Sequence, residues 1–216
     1  MSLDFNRGLW VFFVVLLTLY VLALAIARFI YSWKEENNWR LLRWVAEVSE
    51  EAPVPIMVSC GTLLGAVREG RMIPGDDDVD FQVLEEDFEE AFAFIKARLP
   101  DEFRMVSNPA LAVISVKGNP FGHTDIFRLN AKDGGLYAAH GTPDLTFDQA
   151  SGSEGKVSTM ARGCETIEVR VPNDAVGNLR AMYGDWETPV YLGKDAGKPP
   201  LLERFRYGLT KIGIRF

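Results

Sequence analysis

The residues with the chemistry are four aspartates, a glycine–threonine step and one arginine. Asp78 and Asp80 stand two apart in the run Asp78-Val79-Asp80-Phe81-Gln82-Val83, and side chains two apart on a strand project to the same face. Asp76 joins them if the strand begins early. Asp125 lies in a second strand candidate, Thr124 to Leu129, which can sit adjacent and supply a third carboxylate. Carboxylates that face one another repel, and a divalent cation between them relieves the repulsion; such hard oxygen ligands suit Mg²⁺ or Mn²⁺. Three carboxylates on neighbouring strands can hold two metals and clamp the attacking and leaving oxygens of a phosphoryl displacement. Gly61-Thr62 opens a helix whose free N–H groups offer a seat for a phosphate, with Thr62 as its cap. Arg68 can add charge-assisted hydrogen bonds to the same phosphates. His123, two residues before Asp125, can face the site as an acid or base, or simply pack.

The ordinary readings stand beside these. An acidic run is commonly a solvated loop, and Arg68 taken alone is a surface arginine. An EF-hand is excluded: Asp76, Asp78 and Asp80 match loop positions 1, 3 and 5, but position 6 is Phe81 where the turn needs Gly, and position 12 is Asp87.

The elements that must carry these residues follow from pattern. Asn37 to Glu51 has Trp39, Leu42, Val45, Ala46 and Val48 at helical spacing, an amphipathic linker helix stopped by Pro53 and Pro55. Pro55 to Ser59 reads as a buried strand, and Asp78 to Val83 as a strand with one wet and one buried face. Phe88, Ala91, Phe92, Ile95 and Leu99 mark a helix whose acidic start, Glu85 to Glu90, is solvated. Phe103 to Ser107, Leu111 to Lys117, Thr124 to Leu129 and Glu165 to Val171 are further strands, and Ala131 to Ser158 reads as loops. Asn173 caps a last helix that carries Leu179, Met182 and Tyr183 on its apolar side. The order is that of a mixed α/β or α+β domain.

Ahead of this domain, Leu9 to Ala27 runs nineteen residues without a charge, about the length that crosses a ~30 Å hydrocarbon core as a helix. Trp10, Tyr31 and Trp33 suit the interfaces. A single-pass anchor is the favoured reading; a cleaved signal peptide ending at Ala25-Ile26-Ala27 and a buried core helix are the alternatives. Arg7 precedes the span while Lys34, Arg40 and Arg43 follow it, a bias towards a cytoplasmic domain; in a eukaryote the Golgi lumen is the other setting. The expected organisation is an anchor over 1–33, a linker helix over 34–52, a catalytic domain over 53–190 and a basic tail over 191–216. Within that tail Leu201 to Phe216 can lie on an anionic membrane surface or form a solvated helix.

Composition agrees with one domain and an appendage. The chain has 216 residues, 48% of them hydrophobic and 25% charged, which excludes a disordered chain. Its formal charge is −7, yet nine acidic residues and no Lys or Arg lie between Asp76 and Glu90, so the rest of the chain is +2. Without a basic face a general nucleic-acid binder is excluded. Cys60 and Cys164 lack metal or redox spacing, and no glycosylation sequon is present.

The run GTLLGAVREGRMIPGDDDVDF resembles the signature of the LicD family, a G-T-L-L-G-x-x-R segment leading to I-P-W-D-D-D-x-D. His123-Thr124-Asp125-Ile126-Phe127 is similar to the family's later D-I-F segment. Val171-Pro172, followed by Leu179 to Pro189 with Tyr183-Gly184-Asp185-Trp186, is similar to its closing segment. The resemblance implies a nucleotidyltransferase-like fold of the DNA polymerase beta type. It also implies transfer of a phosphorylated alcohol, of the phosphocholine or ribitol-phosphate kind, from a CDP-linked donor to a glycan. On this resemblance Asp76, Asp78, Asp80 and Asp125 are metal positions, with Asp78, Asp80 and Asp125 catalytic, and Gly61, Thr62 and Arg68 fall on the donor-phosphate segment. Tyr183 and Asp185 match a motif expected to be structural. The sequence departs from the family at Gly75, where Trp is usual and whose absence removes a pocket wall, and at Arg128, where Pro is common. These departures and the short domain keep a second reading open, a membrane-tethered binding or scaffold protein that retains the fold without catalysis.

Overall fold

The computed structural model describes residues 2–108, 111–132, 135–138 and 156–188, with side chains from residue 7 and none over 130–138. The basic tail, His140 and most of the stretch expected as loops lie outside the described residues. The chain divides into two units, residues 1–34 with 191–216, and Glu35–Val190.

In the first unit the described residues form the N-terminal part of helix α1, Ser2–Glu50. It presents its apolar residues outward: Trp10 is 73% exposed and Phe29 66%. Among the described residues this is the one helix long and apolar enough to cross a membrane, a property it shares with a signal sequence.

The second unit is an α+β domain. Its six-stranded mixed sheet has the order β1-β2-β5-β4-β3, with β6 added to β5. The strands are β1 (Met57–Val58), β2 (Val79–Leu84), β3 (Phe103–Ser107), β4 (Leu111–Val116), β5 (His123–Lys132) and β6 (Gly135–Ala138). Only the β2–β5 pair is parallel; the remaining ladders are antiparallel. A separate hairpin, β7 (Lys156–Arg162) and β8 (Glu165–Val171), completes the strands. The helices are α2 (Cys60–Leu64), which runs on as a π-turn over Gly65–Glu69, α3 (Phe88–Ala97) and α4 (Ala175–Tyr183).

Alternation along β2 and β5 gives the sheet two unlike faces. Val79, Phe81, Val83 and Ile126 point into the main core, where α3 adds Phe88, Ala91 and Ile95. On the other face Phe127 and Leu129 meet Cys60 of α2 and Ala181 of α4, and Asp80 and Asp125 share that face by register. The end of α1 belongs to this core. Trp39, Leu41, Leu42 and Val45 are at most 1% exposed, so the segment expected to link the anchor to the domain is one of the domain's own core helices. The hairpin clasps the same helix, with Arg162 Nη2 2.7 Å from Glu36 Oε2 and Trp39 Nε1 donating to Glu165 Oε2 at 2.6 Å.

Several local expectations change. Parts of Ala131 to Ser158 are strand rather than loop: the end of β5, all of β6 and the start of β7. Thr62 does not cap α2; Ser59 holds that position without a side-chain bond, and the Thr62 hydroxyl accepts from the Asp80 N–H instead. Asp174, not Asn173, caps α4, accepting from Gly177 N–H at 2.8 Å. Tyr183 is 44% exposed rather than packed inside.

Candidate functional site

The site is built where β2 and β5 run side by side. Asp80 is the direct neighbour of Asp125, as Val79 is of Thr124, so two carboxylates from distant parts of the chain share one face. Asp78 immediately precedes β2 and comes close to both Asp125 and His123: one ligand atom from each of the three lies within 4.8 Å of the others. His123 Nε2 is 3.8 Å from Asp78 Oδ2 and 3.7 Å from Asp125 Oδ1. The adjacency expected of Asp125 is thus present, and His123 faces the carboxylates.

Asp80 is held by the start of α2. The Ser59 N–H donates to its carbonyl at 2.9 Å, Thr62 Oγ1 accepts from its N–H at 2.9 Å, and the Gly61 N–H donates to its Oδ2 at 3.2 Å. The Gly61 amide expected to be free for a phosphate is therefore engaged by Asp80. Gly61 is required for a second reason: a Cβ there would stand 2.5 Å from Asp76 Oδ2, so the missing side chain lets Asp76 close onto α2. Asp76 is delivered by a tight turn. Its N–H donates to the Ile73 carbonyl at 3.1 Å, with Pro74 and then Gly75 between them. Gly75 has φ +94°, the arrangement of a type II turn, which takes Pro and then Gly at its central positions. Gly75 in place of the family Trp is thus a backbone requirement here as well as a smaller side chain.

The face expected to be wet is not. Asp80 is 6% exposed, and burial together with Asp78, Asp76 and Asp125 pushes its carboxyl up to about 8, against a small opposing effect of the Gly61 N–H. Burial also raises Asp125, with His123 opposing and Asp78 adding. Cys60, beside the cluster at φ +43°, is pushed up to about 12 by burial and then by Asp80. It is a protonated thiol, not a nucleophile. Tyr183, though 44% exposed as a residue, is raised by partial burial and then by Cys60 and the same acids, which puts it at the edge of the cluster, a position the sequence pattern did not reveal.

Arg68 does not join the carboxylates. Its Nε donates to Glu69 Oε1 and its Nη1 to the Trp186 carbonyl, both at 3.1 Å, tying the first motif to the closing Tyr183-Gly184-Asp185-Trp186 segment. Arg128 stacks over Phe88 at 4.3 Å and pairs with Glu89 at 2.7 Å, so it neutralises the second half of the acidic window from β5.

The donor set fits a divalent cation. Asp125 Oδ1 is buried without a hydrogen-bond partner among the described residues, and Asp80 retains a proton where a cation would let it ionise. The ligands present are carboxylate oxygens and one imidazole, the hard-to-borderline set suited to Mg²⁺ or Mn²⁺.

A mixed sheet whose parallel strand pair carries neighbouring aspartates, beside the short helix α2 that contains Gly61 and Thr62, defines a nucleotidyltransferase-like domain. The family model for the LicD/FKTN/FKRP nucleotidyltransferase domain matches residues 53–153, so the resemblance read from the motifs holds over that segment. Over 163 residues it is 27% identical to mouse ribitol-5-phosphate transferase FKTN, covering 74% of this chain and 35% of that protein. Over 173 residues it is 24% identical to the uncharacterized protein RP689 of Rickettsia prowazekii strain Madrid E, covering 71% and 56%. The chain thus spans about a third and about half of the length of these relatives. Among solved structures it is similar to the lincosamide antibiotic adenylyltransferase LnuA bound to lincomycin, at 13% identity and TM-score 0.41, covering 77% of this chain and 91% of that one. ANT(2″)-Ia with adenylyl-2″-tobramycin gives 17% identity and TM-score 0.39, covering 77% and 84%.

Proposed function

We propose that this protein is a membrane-anchored, metal-dependent transferase that moves a phosphorylated alcohol, of the phosphocholine or ribitol-phosphate kind, from a CDP-linked donor to a glycan hydroxyl. The observation that carries the reading is the parallel β2–β5 register, which makes Asp80 the neighbour of Asp125, with Asp78 close to Asp125 and Asp76 close to Asp78. Asp76, Asp78, Asp80 and Asp125 are the metal ligands, with Mg²⁺ or Mn²⁺ as the cofactor. Bound there, the metal supplies charge neutralisation for a diphosphate donor. Thr62 and Gly61 act by fixing Asp80, since their hydroxyl and N–H bind its main chain and carboxylate. Arg68 receives a donor phosphate by exchanging Glu69 for it. Asp125 orients the acceptor hydroxyl and takes its proton. The released product is CMP.

The apolar start of α1 serves as the anchor. The few flanking charges favour a cytoplasmic domain, and the Golgi lumen is the alternative in a eukaryotic cell. The departures at Gly75 and Arg128 are accounted for by a turn and an ion pair, and neither removes a carboxylate, so they give no support to a scaffold that has lost catalysis.

The test uses the full chain in detergent or nanodiscs with CDP-choline and CDP-ribitol, a glycan acceptor, and release of CMP as the readout. Turnover is expected to require a divalent cation and to fall at least a hundredfold in Asp80→Asn, about the effect of losing a metal ligand or its close support. Metal-independent turnover, or unchanged turnover in that variant, sinks the mechanism.

A further inference from the structure

We propose that His123 is itself a metal ligand, which makes the site a mixed nitrogen–oxygen centre that selects Mn²⁺ over Mg²⁺. The inference rests on the carboxylate site proposed above and goes beyond it, because an imidazole adds a preference for a transition metal larger than carboxylates alone give. His123 and Asp125 are two apart on β5 and project to one face. A single ring nitrogen, Nε2, stands 3.7 Å from Asp125 Oδ1 and 3.8 Å from Asp78 Oδ2. Neither separation is a hydrogen bond, which needs ~2.7–3.2 Å. Both fall within the span of donors sharing one ion, since ligands at ~2.1 Å stand roughly 3 Å apart at right angles and ~4 Å apart when opposed.

The environment of that nitrogen agrees. Asp125 Oδ1 is buried with no hydrogen-bond partner among the described residues, and it is the oxygen nearest the imidazole. A hydrogen-bonding histidine in this position would be expected to close on that oxygen; a ligating one stands off it and shares an ion with it. Imidazole is a borderline ligand and raises affinity for first-row transition metals relative to Mg²⁺ beyond what carboxylates alone give. The ring is 41% exposed, so its replacement leaves the core untouched.

The experiment compares wild type, His123→Asp and Asp78→Asn as full chains in detergent, titrated with Mn²⁺ and with Mg²⁺ by calorimetry. Bound Mn²⁺ is also read by pulsed EPR for ¹⁴N coupling from a coordinated imidazole. Wild type is expected to show that coupling and to bind Mn²⁺ more tightly than Mg²⁺. In His123→Asp, which replaces the nitrogen by oxygen, the coupling should vanish and the Mn²⁺ preference fall about tenfold. Metal binding lost in Asp78→Asn, with no nitrogen coupling in wild type and an unchanged preference in His123→Asp, overturns the inference and leaves the carboxylate site standing. Failure of wild type to bind either ion, or binding indifferent to Asp78→Asn, overturns both.

Discussion

Asp80 is both the most buried of the site's carboxylates and the one bound by α2. Its carboxyl rises from 3.8 to about 8, so the folded protein holds that proton more tightly than the unfolded chain does. Stability of the metal-free protein is therefore full below about pH 4 and is lost as pH climbs through about 8, a decline of order a few kcal/mol. Thermal melts in chelator should fall steadily from pH 5 to pH 8.5, and a saturating divalent cation should flatten or reverse the trend, because metal binding ionises the group. A melt that rises with pH in chelator contradicts the buried carboxyl. Asp80→Asn should raise the chelated melting temperature at pH 8 by several degrees, about 1–2 kcal/mol. The variant removes charge while its amide oxygen still accepts from the Gly61 N–H. The same variant should gain no stability from metal. That Asp78 and Asp80 project together was legible from strand alternation, while Asp125 was legible only as a carboxylate on a strand able to lie adjacent. That Asp80 is dry, and that Arg68 turns to Glu69 and Trp186, was not: both depend on where α2 and the closing segment pack, and spacing along one strand does not encode a neighbour from elsewhere in the chain.

Short elements, rather than the long ones, set the site's shape. The turn Ile73-Pro74-Gly75-Asp76 aims Asp76 at Gly61, and its geometry depends on φ +94° at Gly75. Restoring the family's aromatic residue as Gly75→Trp is thus expected to destabilise by about 1–3 kcal/mol, the cost of a large side chain in that backbone region. It should weaken metal binding through displacement of Asp76, where a simple missing-wall account expects tighter donor binding. Denaturant melts and metal titration of this variant distinguish the two outcomes. Gly61→Ala should act on Asp76 from the other side, since its Cβ would meet the carboxylate at 2.5 Å; its metal affinity should drop without loss of fold, read by calorimetry and circular dichroism. The strands β2 to β5 and β8 and the helix α3 follow closely the patterns from which they were read, because each is long enough to show its period. The start of α2 and the cap of α4 were misread for a common reason. Thr62 and Asn173 are good capping types, but a hydroxyl one residue along can satisfy a strand N–H instead, and Asp174 stands nearer the orphan amide at Gly177.

At the scale of the whole molecule the decisive feature is where the exposed apolar stretch of α1 stops and the domain starts. The sequence pattern placed that boundary at Pro53, since an amphipathic helix over Asn37 to Glu51 stopped by Pro53 and Pro55 reads as a linker. The packing places folding-critical residues well upstream of it: Trp39, Leu41, Leu42 and Val45 are essentially without solvent contact, and Asn37 donates to the Phe121 carbonyl on the loop that leads into His123. Burial of each large apolar side chain contributes about 1.5–3 kcal/mol, so four of them amount to about the whole stability of an ordinary domain. The acidic window obeys the same logic of location. The −7 of the full chain is concentrated in a cluster that a cation relieves and an acidic helix start that Arg128 meets, and neither is a general surface property. Two truncations follow from this. A chain beginning at Glu35 should remain folded and lose its affinity for detergent micelles, with metal binding retained within a few-fold. A chain beginning at Pro53 should fail to fold, giving no cooperative melt, although it removes nothing from the matched family segment, residues 53–153. A cooperative transition in the shorter chain would mean that α1 is a spacer after all; its absence, beside a folded longer chain, makes the last four turns of the helix the first element of the domain that carries the aspartates.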